Sequence, residues 1–200
     1  MGGIAATRFE MVKQRHFQLW EKAKSEAKAD ARIIPTVDFI FSKKEFFTTS
    51  SCSGRILLIQ LDSKETKKPK AFFAKYHSIP KFSEVWKKLH EKSQNNLWFK
   101  QESFVIVLGA NTLENAKKIM SVCRNNGVKK VGIMSAEEGK FLVEAFGSNY
   151  MSFLIKEKNK ILGSEEFVEK QFKTACKKLH ANWKMLEKLE KALRKELESD

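Results

Sequence analysis

The chain has 200 residues, of which 42% are hydrophobic, and it carries 38 Lys and Arg against 24 Asp and Glu. This length is enough for one domain with a sizeable core, or for two small halves that share a sheet. No segment approaches the roughly 20 apolar residues of a membrane span, and Met1 to Arg15 lack the apolar run of a signal peptide. The sequence therefore predicts a soluble protein of the cytoplasm.

The net charge of +14 predicts a strongly positive surface. Such a surface attracts polyanions; nucleic acid is the commonest of them, and a membrane or an acidic protein is the alternative partner. The three cysteines, Cys52, Cys123 and Cys176, are isolated and odd in number. This usage is typical of a reducing compartment and offers neither a disulfide nor a zinc-binding spacing, so we expect no metal.

Two helices and three strands are predicted in the first third of the chain. Apolar residues at helical spacing predict an amphipathic helix from about Arg8 to Ala29. A second, short helix begins near Pro35, because proline suits the first turn of a helix. A polar turn and a charged loop from Asp62 to Pro69 then separate three strands, which we expect to form an antiparallel meander. The strands are Phe46 to Ser50, Arg55 to Leu61 and Lys70 to Tyr76.

The next part of the chain repeats this order. A helix around Phe82 to Leu89 precedes a strongly β-prone segment, Phe104 to Leu108. Asn111 or Thr112 then caps a helix that stops at the Asn-Asn-Gly of residues 125–127, because glycine favours helix C-termini. A duplicated helix-plus-three-strand unit therefore covers about residues 33–92 and 103–156. Its second set of strands is Lys129 to Met134, Lys140 to Phe146 and Tyr150 to Lys156.

A long helix is predicted from Ser164 to about residue 198. Its apolar residues recur at alternating spacings of 4 and 3, so it can pack on the body, on the N-terminal helix or on a second chain, although Glu190 interrupts the stripe. These elements make a single α+β domain over residues 1–200. Because no G-x-G-x-x-G follows a strand and no Walker lysine loop is present, neither a Rossmann nucleotide site nor a P-loop is predicted.

One segment, Phe46 to Ile56, places seven small residues and an arginine between apolar flanks. Its hydroxyls, its thiol, its turn amides and one guanidinium can converge on a small anion, because consecutive turn amides form an anion-binding concavity and arginine is a planar fork for carboxylate or phosphate. The alternative is a hairpin turn whose Ser and Thr side chains bond their own backbone. The candidate binding residues are Ser50, Ser51, Cys52, Ser53, Gly54 and Arg55.

The same segment resembles the signature of the tRNA wybutosine-synthesizing protein 3 family, the methyltransferases of wyosine-type tRNA modification. Ile33 to Ile40 resembles the helix that precedes this signature, and Ala71 to His77 resembles the next strand with a histidine at its end. The resemblance covers about residues 8–198. It implies a mixed, largely antiparallel sheet that curls toward a barrel, and S-adenosylmethionine as the cofactor outside the usual dinucleotide-type fold.

The resemblance also implies the substrate and the reaction. The substrate is phenylalanine tRNA in which the guanosine next to the anticodon, guanosine 37, has become a tricyclic base, and the methyl group goes to the N-4 nitrogen of that base. The alternative, from a different class, is a noncatalytic RNA-binding module that uses the basic surface and the polar turn for phosphate contacts only. Binding of S-adenosylmethionine at micromolar levels distinguishes the two hypotheses.

Methyl transfer to a nitrogen depends on positioning and protonation state more than on covalent work by the enzyme. We therefore expect the turn from Ser50 to Arg55 to hold either the carboxylate of the methionine portion or an RNA phosphate. His77, at the end of a neighbouring strand, is the candidate base; a structural histidine is the alternative.

Two further residues are weaker candidates for the site. Asp38 can face the sulfonium charge or the amino group of the cofactor, or it can be a solvated helix carboxylate. Cys52 is a candidate nucleophile because Arg55 lies nearby in sequence, but a small packed thiol explains it equally well.

Overall fold

The structure is a computed structural model, and it describes residues 2–62, 64 and 71–198. In this part of the chain there are five α-helices and nine β-strands, and every strand pair is antiparallel. The expected α+β class is thereby confirmed. No helix among the described residues is long and apolar enough to cross a membrane. The charged loop predicted from Asp62 to Pro69, and Lys70 after it, lie outside the described residues except for Asp62 and Lys64.

Groups of two to four strands are separated along the chain by single helices, after two helices at the start. The helices are α1 (Gly2–Ser25), α2 (Ile34–Ser42), α3 (Phe82–His90), α4 (Leu113–Asn125) and α5 (Glu165–Glu198). The strands are β1 (Phe46–Cys52), β2 (Arg55–Leu61), β3 (Phe72–Tyr76), β4 (Asn96–Glu102), β5 (Val105–Ala110), β6 (Lys130–Glu137), β7 (Lys140–Phe146), β8 (Met151–Glu157) and β9 (Lys160–Ile161).

The chain forms two compact units whose segments alternate in sequence. Unit 1 consists of Met1–Ser53, Phe104–Ser148 and Trp183–Asp200, and unit 2 consists of Gly54–Ser103 and Asn149–Asn182. Each unit contains one antiparallel sheet. The strand order is β1-β5-β7-β6 in unit 1 and β3-β2-β4-β8-β9 in unit 2.

The core of unit 1 lies between its sheet and its helices. Phe47 on β1 is fully buried and faces Gly109 on β5, where a side chain would collide with the Phe47 ring at 2.2 Å. Only glycine allows this aromatic ring to lie across the neighbouring strand. The C-terminal part of α5 contributes a row of buried leucines to the same core; they are Leu186, Leu189, Leu193 and Leu197.

In unit 2, β2 is buried over most of its length, and Leu57, Ile59 and Leu61 form a core with Ala71. The helices of this unit are joined by an aromatic contact, in which the Phe82 ring of α3 lies 5.7 Å from the Phe172 ring of α5. Phe172 belongs to the apolar stripe expected along α5, so in unit 2 the stripe packs on the body of the protein.

Most predicted elements are present, with small shifts at their ends. Thr112 caps α4, because its hydroxyl accepts the N–H of Asn115 at 3.1 Å, and Gly127 has a positive φ of 93° just after the helix. The N-terminal helix ends at Ser25, four residues earlier than expected, and Ala27 after it has a left-handed φ of 51°.

The pairing of β1 was predicted wrongly. We expected β1, β2 and β3 to form a meander, but β1 pairs with β5, and only β2 and β3 pair as predicted. Strand β4 was not predicted at all, although it lies between β2 and β8 and alternates in burial along its length. Strands β1 and β2 thus pair with strands distant in sequence, and such pairing depends on how side chains pack in the folded sheet and not on the local pattern.

Candidate functional site

The signature segment consists of the end of β1, a two-residue turn and the start of β2. Ser53 and Gly54 form the turn, and the chain passes from unit 1 to unit 2 between them. Gly54 has a φ of 99°, a conformation that residues with a side chain rarely adopt. The β1–β5 register also shifts between Thr48 and Ser50, and such a bulge re-aims the side chains that follow it. The local backbone is therefore shaped by glycine and by a bulge.

One turn amide is already bound by a carboxylate. The backbone N–H of Ser53 donates to Oδ2 of Asp30 at 2.8 Å, and Oδ1 of Asp30 accepts the N–H of Arg32 at 3.2 Å. The sequence predicted that the turn amides would be available to an anionic ligand, and for Ser53 the structure corrects this. Asp30 was missed because a lone aspartate after a helix gives no signal of a contact 23 residues away.

Two hydroxyls of the signature lack a hydrogen-bond partner among the described residues. Oγ of Ser51 and Oγ of Ser53 are both buried and unpartnered, and Ser53 has no exposed surface at all. A buried polar group without a partner costs about 1–3 kcal/mol. Each hydroxyl keeps its capacity to donate one hydrogen bond and to accept others.

Arg55 begins β2 and is held by an ion pair. Its Nε donates to Oε2 of Glu102 at 2.6 Å, and the two residues face each other in the β2–β4 register. The Nη nitrogens have no hydrogen-bond partner in the described part of the chain. Because an arginine fork uses its Nη groups for planar anions, the ion pair orients the guanidinium and leaves that side able to bind an anion.

His77 follows β3 directly, as predicted from the sequence. The last pair of the β2–β3 register joins Ile56 to Tyr76, so the next position along each strand is Arg55 on one side and His77 on the other. Both residues are half-buried. The prediction that His77 and Arg55 lie at one edge of the sheet is consistent with this register.

The other three histidines make contacts of a structural kind. Nδ1 of His90 lies 2.9 Å from the carbonyl oxygen of Trp86, and Nδ1 of His180 lies 3.0 Å from that of Cys176. His16 stacks on Phe47 at 5.5 Å, and burial lowers the pKa of His16 below its usual value. All three lie on helices.

Asp38 lies on α2 and connects it to α1. Its Oδ1 accepts hydrogen bonds from Nε1 of Trp20 at 2.6 Å and from Nζ of Lys24 at 2.9 Å. Burial alone would raise the pKa of Asp38, but the hydrogen bonds from Trp20 and Lys24 and the charge of Lys24 outweigh it and lower the pKa. These contacts favour a structural role for Asp38, and a catalytic role stays a prediction.

We expect Asp38→Asn to lower the free energy of unfolding at pH 7 by about 0.5–1 kcal/mol. Folding lowers the pKa of Asp38, so the ionised carboxylate stabilises the folded protein. This stabilisation is fully present above the carboxyl pKa of the unfolded chain, and it is lost as the pH falls through the pKa that Asp38 has in the folded protein. Thermal unfolding from pH 7 to pH 3 should show the two proteins converging in acid. An unchanged melting temperature with a slower methyl-transfer rate would instead support the catalytic role.

Unit 2 contains two buried amides that the sequence did not single out. Nδ2 of Asn182 and Nε2 of Gln101 both donate to the backbone carbonyl of Asn149, at 2.7 and 3.3 Å. This shared acceptor fixes the orientation of both amides, and their carbonyl oxygens, Oδ1 of Asn182 and Oε1 of Gln101, are buried without a partner among the described residues. Both oxygens fit an N–H or O–H donor from a ligand or a water.

Comparison with known proteins gives matches over almost the whole chain. The family model for Methyltransferase TYW3 matches residues 9–195. A Pyrococcus horikoshii protein named tRNA(Phe) 7-((3-amino-3-carboxypropyl)-4-demethylwyosine(37)-N(4))-methyltransferase 1 is 30% identical over 91% of this chain and 93% of its own. The tRNA wybutosine-synthesizing protein 3 homolog of Xenopus laevis is 28% identical over 95% of this chain and 79% of its own.

The fold has a close counterpart among solved structures. The structure of the PH1069 protein from Pyrococcus horikoshii superposes with a TM-score of 0.87 at 29% sequence identity, and the match covers 96% of both chains. The similarity therefore extends over almost the whole chain.

Proposed function

Because this chain belongs to the TYW3 methyltransferase family, we propose that it methylates the N-4 nitrogen of the 4-demethylwyosine base at position 37 of phenylalanine tRNA. The methyl donor in this proposal is S-adenosylmethionine, which supplies an electrophilic sulfonium methyl group. Position 37 lies next to the anticodon, so the part of the tRNA that reaches the site is the anticodon loop. The named relatives are methyltransferases, and they favour this proposal over a noncatalytic RNA-binding module.

The observation that carries the proposal is the family match over residues 9–195, which includes the signature turn with the unpartnered hydroxyls of Ser51 and Ser53. Within a family of methyltransferases, polar groups left without partners at the signature turn fit a bound polar ligand. We propose that the turn from Ser50 to Gly54 holds the methyl donor by these hydroxyls. Cys52, which lies between them in sequence and is half-buried, has no covalent role in this proposal, since methyl transfer to nitrogen requires no thiolate.

Arg55 and His77 have separate roles in this proposal. The Nη side of Arg55, oriented by Glu102, binds a planar anion, which is either the carboxylate of the methionine portion or an RNA phosphate. His77 accepts the proton that leaves the N-4 nitrogen as the new N–C bond forms. The neighbouring positions of Arg55 and His77 at the ends of β2 and β3 support this division of roles.

The test of the function is methylation of defined tRNA. Purified protein is mixed with phenylalanine tRNA that carries the 4-demethylated tricyclic base and with methyl-labelled S-adenosylmethionine, and the labelled nucleoside is identified by mass spectrometry. We expect one methyl group per tRNA, at N-4. Calorimetry with the donor alone should show micromolar binding; tRNA binding without any donor binding would establish the noncatalytic module.

We expect Ser53→Ala to weaken binding of S-adenosylhomocysteine by about five- to tenfold, because a hydrogen bond contributes about 1 kcal/mol. The same substitution should leave the melting temperature of the unliganded protein unchanged or raise it, since the hydroxyl that is lost has no partner among the described residues. Ligand affinity thus falls while the melting temperature does not.

Ser93→Ala is the matched control for this experiment. Ser93 is 9% exposed, and its hydroxyl donates to the carbonyl of Lys158 at 2.8 Å. We expect its removal to lower the melting temperature and to leave ligand affinity unchanged. If Ser53→Ala behaves like Ser93→Ala, the signature hydroxyl does not bind the donor.

A further inference from the structure

A cavity of about 740 Å³ lies between α4 and the C-terminal turns of α5, within unit 1. Its walls come from both helices, and Val122 and Ala192 give it a partly apolar floor. Five lysines line it against two glutamates, Glu114 and Glu196. We call this cavity the lysine groove; its lysines are Lys117, Lys118, Lys188, Lys191 and Lys195.

The lysines are arranged along one face of α5. Lys188, Lys191 and Lys195 stand at positions i, i+3 and i+7, a spacing that aligns side chains on one side of a helix. At a rise of 1.5 Å per residue this row is about 10 Å long. All three side chains are exposed, whereas the opposite face of α5 buries Leu189 and Leu193 in the core. The groove is therefore a linear array of positive charge on a rigid support.

The groove is a separate contact region from the signature. None of the residues that line it belongs to the turn from Ser50 to Arg55. A methyl donor bound at the signature would not contact the lysines of the groove. The base at position 37 is only one nucleotide of a much larger polyanion, the tRNA. A partner that extends well beyond its reacting nucleotide is the kind of ligand that needs a second, charged contact region.

We propose that the lysine groove binds the sugar-phosphate backbone of the tRNA substrate and positions the tRNA for methylation. This inference rests on the proposed function, because it specifies how the same substrate is held. Lysines are compact, flexible cations that bind phosphates as point charges without reading sequence. The contacts made here set affinity and orientation, and base selection belongs to the reacting site.

The test compares two triple variants of equal charge. Lys117, Lys188 and Lys191 are replaced together by glutamine in the groove variant. In the control variant, the exposed lysines Lys170, Lys173 and Lys177, on the part of α5 that belongs to unit 2, are replaced by glutamine. Both variants lose the same net charge, so a difference in their tRNA binding is due to the position of the lysines and not to the total charge.

Binding of phenylalanine tRNA is measured at several salt concentrations, together with single-turnover methylation. Each phosphate contact contributes roughly 0.7–0.9 to the slope of log K against log salt, so the groove variant should lose about 2–3 units of slope and the control less than one. Because the groove binds and orients the tRNA, single-turnover methylation at subsaturating tRNA should fall in the groove variant and not in the control. The affinity of the groove variant for S-adenosylhomocysteine and its melting temperature should match those of the parent.

The outcomes separate this inference from the proposed function. If the parent methylates tRNA and the two variants lose the same slope, the groove does not contact the RNA backbone and the inference is wrong. Loss of binding to an acidic polypeptide such as polyglutamate, with tRNA binding intact, would assign the groove to a protein partner and would also contradict it. If the parent does not methylate tRNA at all, the proposed function itself fails.

Discussion

His77→Ala is expected to slow single-turnover methylation by about 10²–10⁴-fold at saturating donor and tRNA, which is the usual contribution of a general base. The affinities for S-adenosylhomocysteine and tRNA should change little, because the imidazole acts on a proton and not on the binding contacts. The pH dependence of the rate should flatten, since the group that accepts the proton is removed.

His90→Ala provides the matched control. His90 lies in the same unit, and its imidazole is exposed and bonded to a carbonyl of its own helix. We expect this variant to keep the parental rate and pH profile. If His77→Ala lowers the melting temperature or tRNA affinity while the single-turnover rate stays within a few-fold of the parent, His77 is a structural histidine and the assignment as base is wrong.

Arg55→Lys is expected to weaken binding of one substrate by about 10- to 100-fold, because lysine loses the planar fork and one charge-assisted hydrogen bond, or about 1.5–3 kcal/mol. It also removes the Nε contact to Glu102, which orients the guanidinium. Separate titrations with S-adenosylhomocysteine and with tRNA identify the ligand, since only the one that contacts Arg55 should bind more weakly. An equal, small effect on both affinities would show that Arg55 serves only its ion pair with Glu102.

Cys52→Ser is the companion variant within the signature. Serine is close to cysteine in size and Cys52 is only half-buried, so a thiol without a covalent role predicts rates within a few-fold of the parent. Complete loss of methyl transfer with normal binding of donor and tRNA would establish a nucleophilic thiol and would replace the direct-transfer mechanism.

Local physics explains why the element types were predictable from the sequence. Pro35 marked the start of α2, Thr112 the cap of α4, and Gly127 the position just after α4, because each acts through the conformation of one or two neighbouring residues. The periodicity of apolar residues likewise predicted α5, a helix of 34 residues. These signals do not depend on the rest of the chain.

Strand pairing was decided by the tertiary structure. Strands β1 and β2 are adjacent in sequence, yet β1 pairs with β5 in unit 1 and β2 with β3 and β4 in unit 2. Tertiary structure also explains why the charged Glu190 interrupts the apolar stripe of α5. The carboxylate of Glu190 accepts a hydrogen bond from the hydroxyl of the buried Thr36 at 3.0 Å. The strand pairing and the position of Glu190 both depend on contacts between residues far apart in the sequence, and the periodicity of a single segment cannot predict such contacts.

Some features of the candidate site were predictable from the sequence, and others depend on the tertiary structure. The amino-acid sequence by itself determined the signature turn, the histidine after β3, the positive charge and the family resemblance, since these reside in residue identity and short spacing. Only the tertiary structure placed Asp30 against the amide of Ser53 and Glu102 against Arg55. Which polar atoms are satisfied depends on partners brought together by folding, and this physical reason explains why the unpartnered hydroxyls were not predicted.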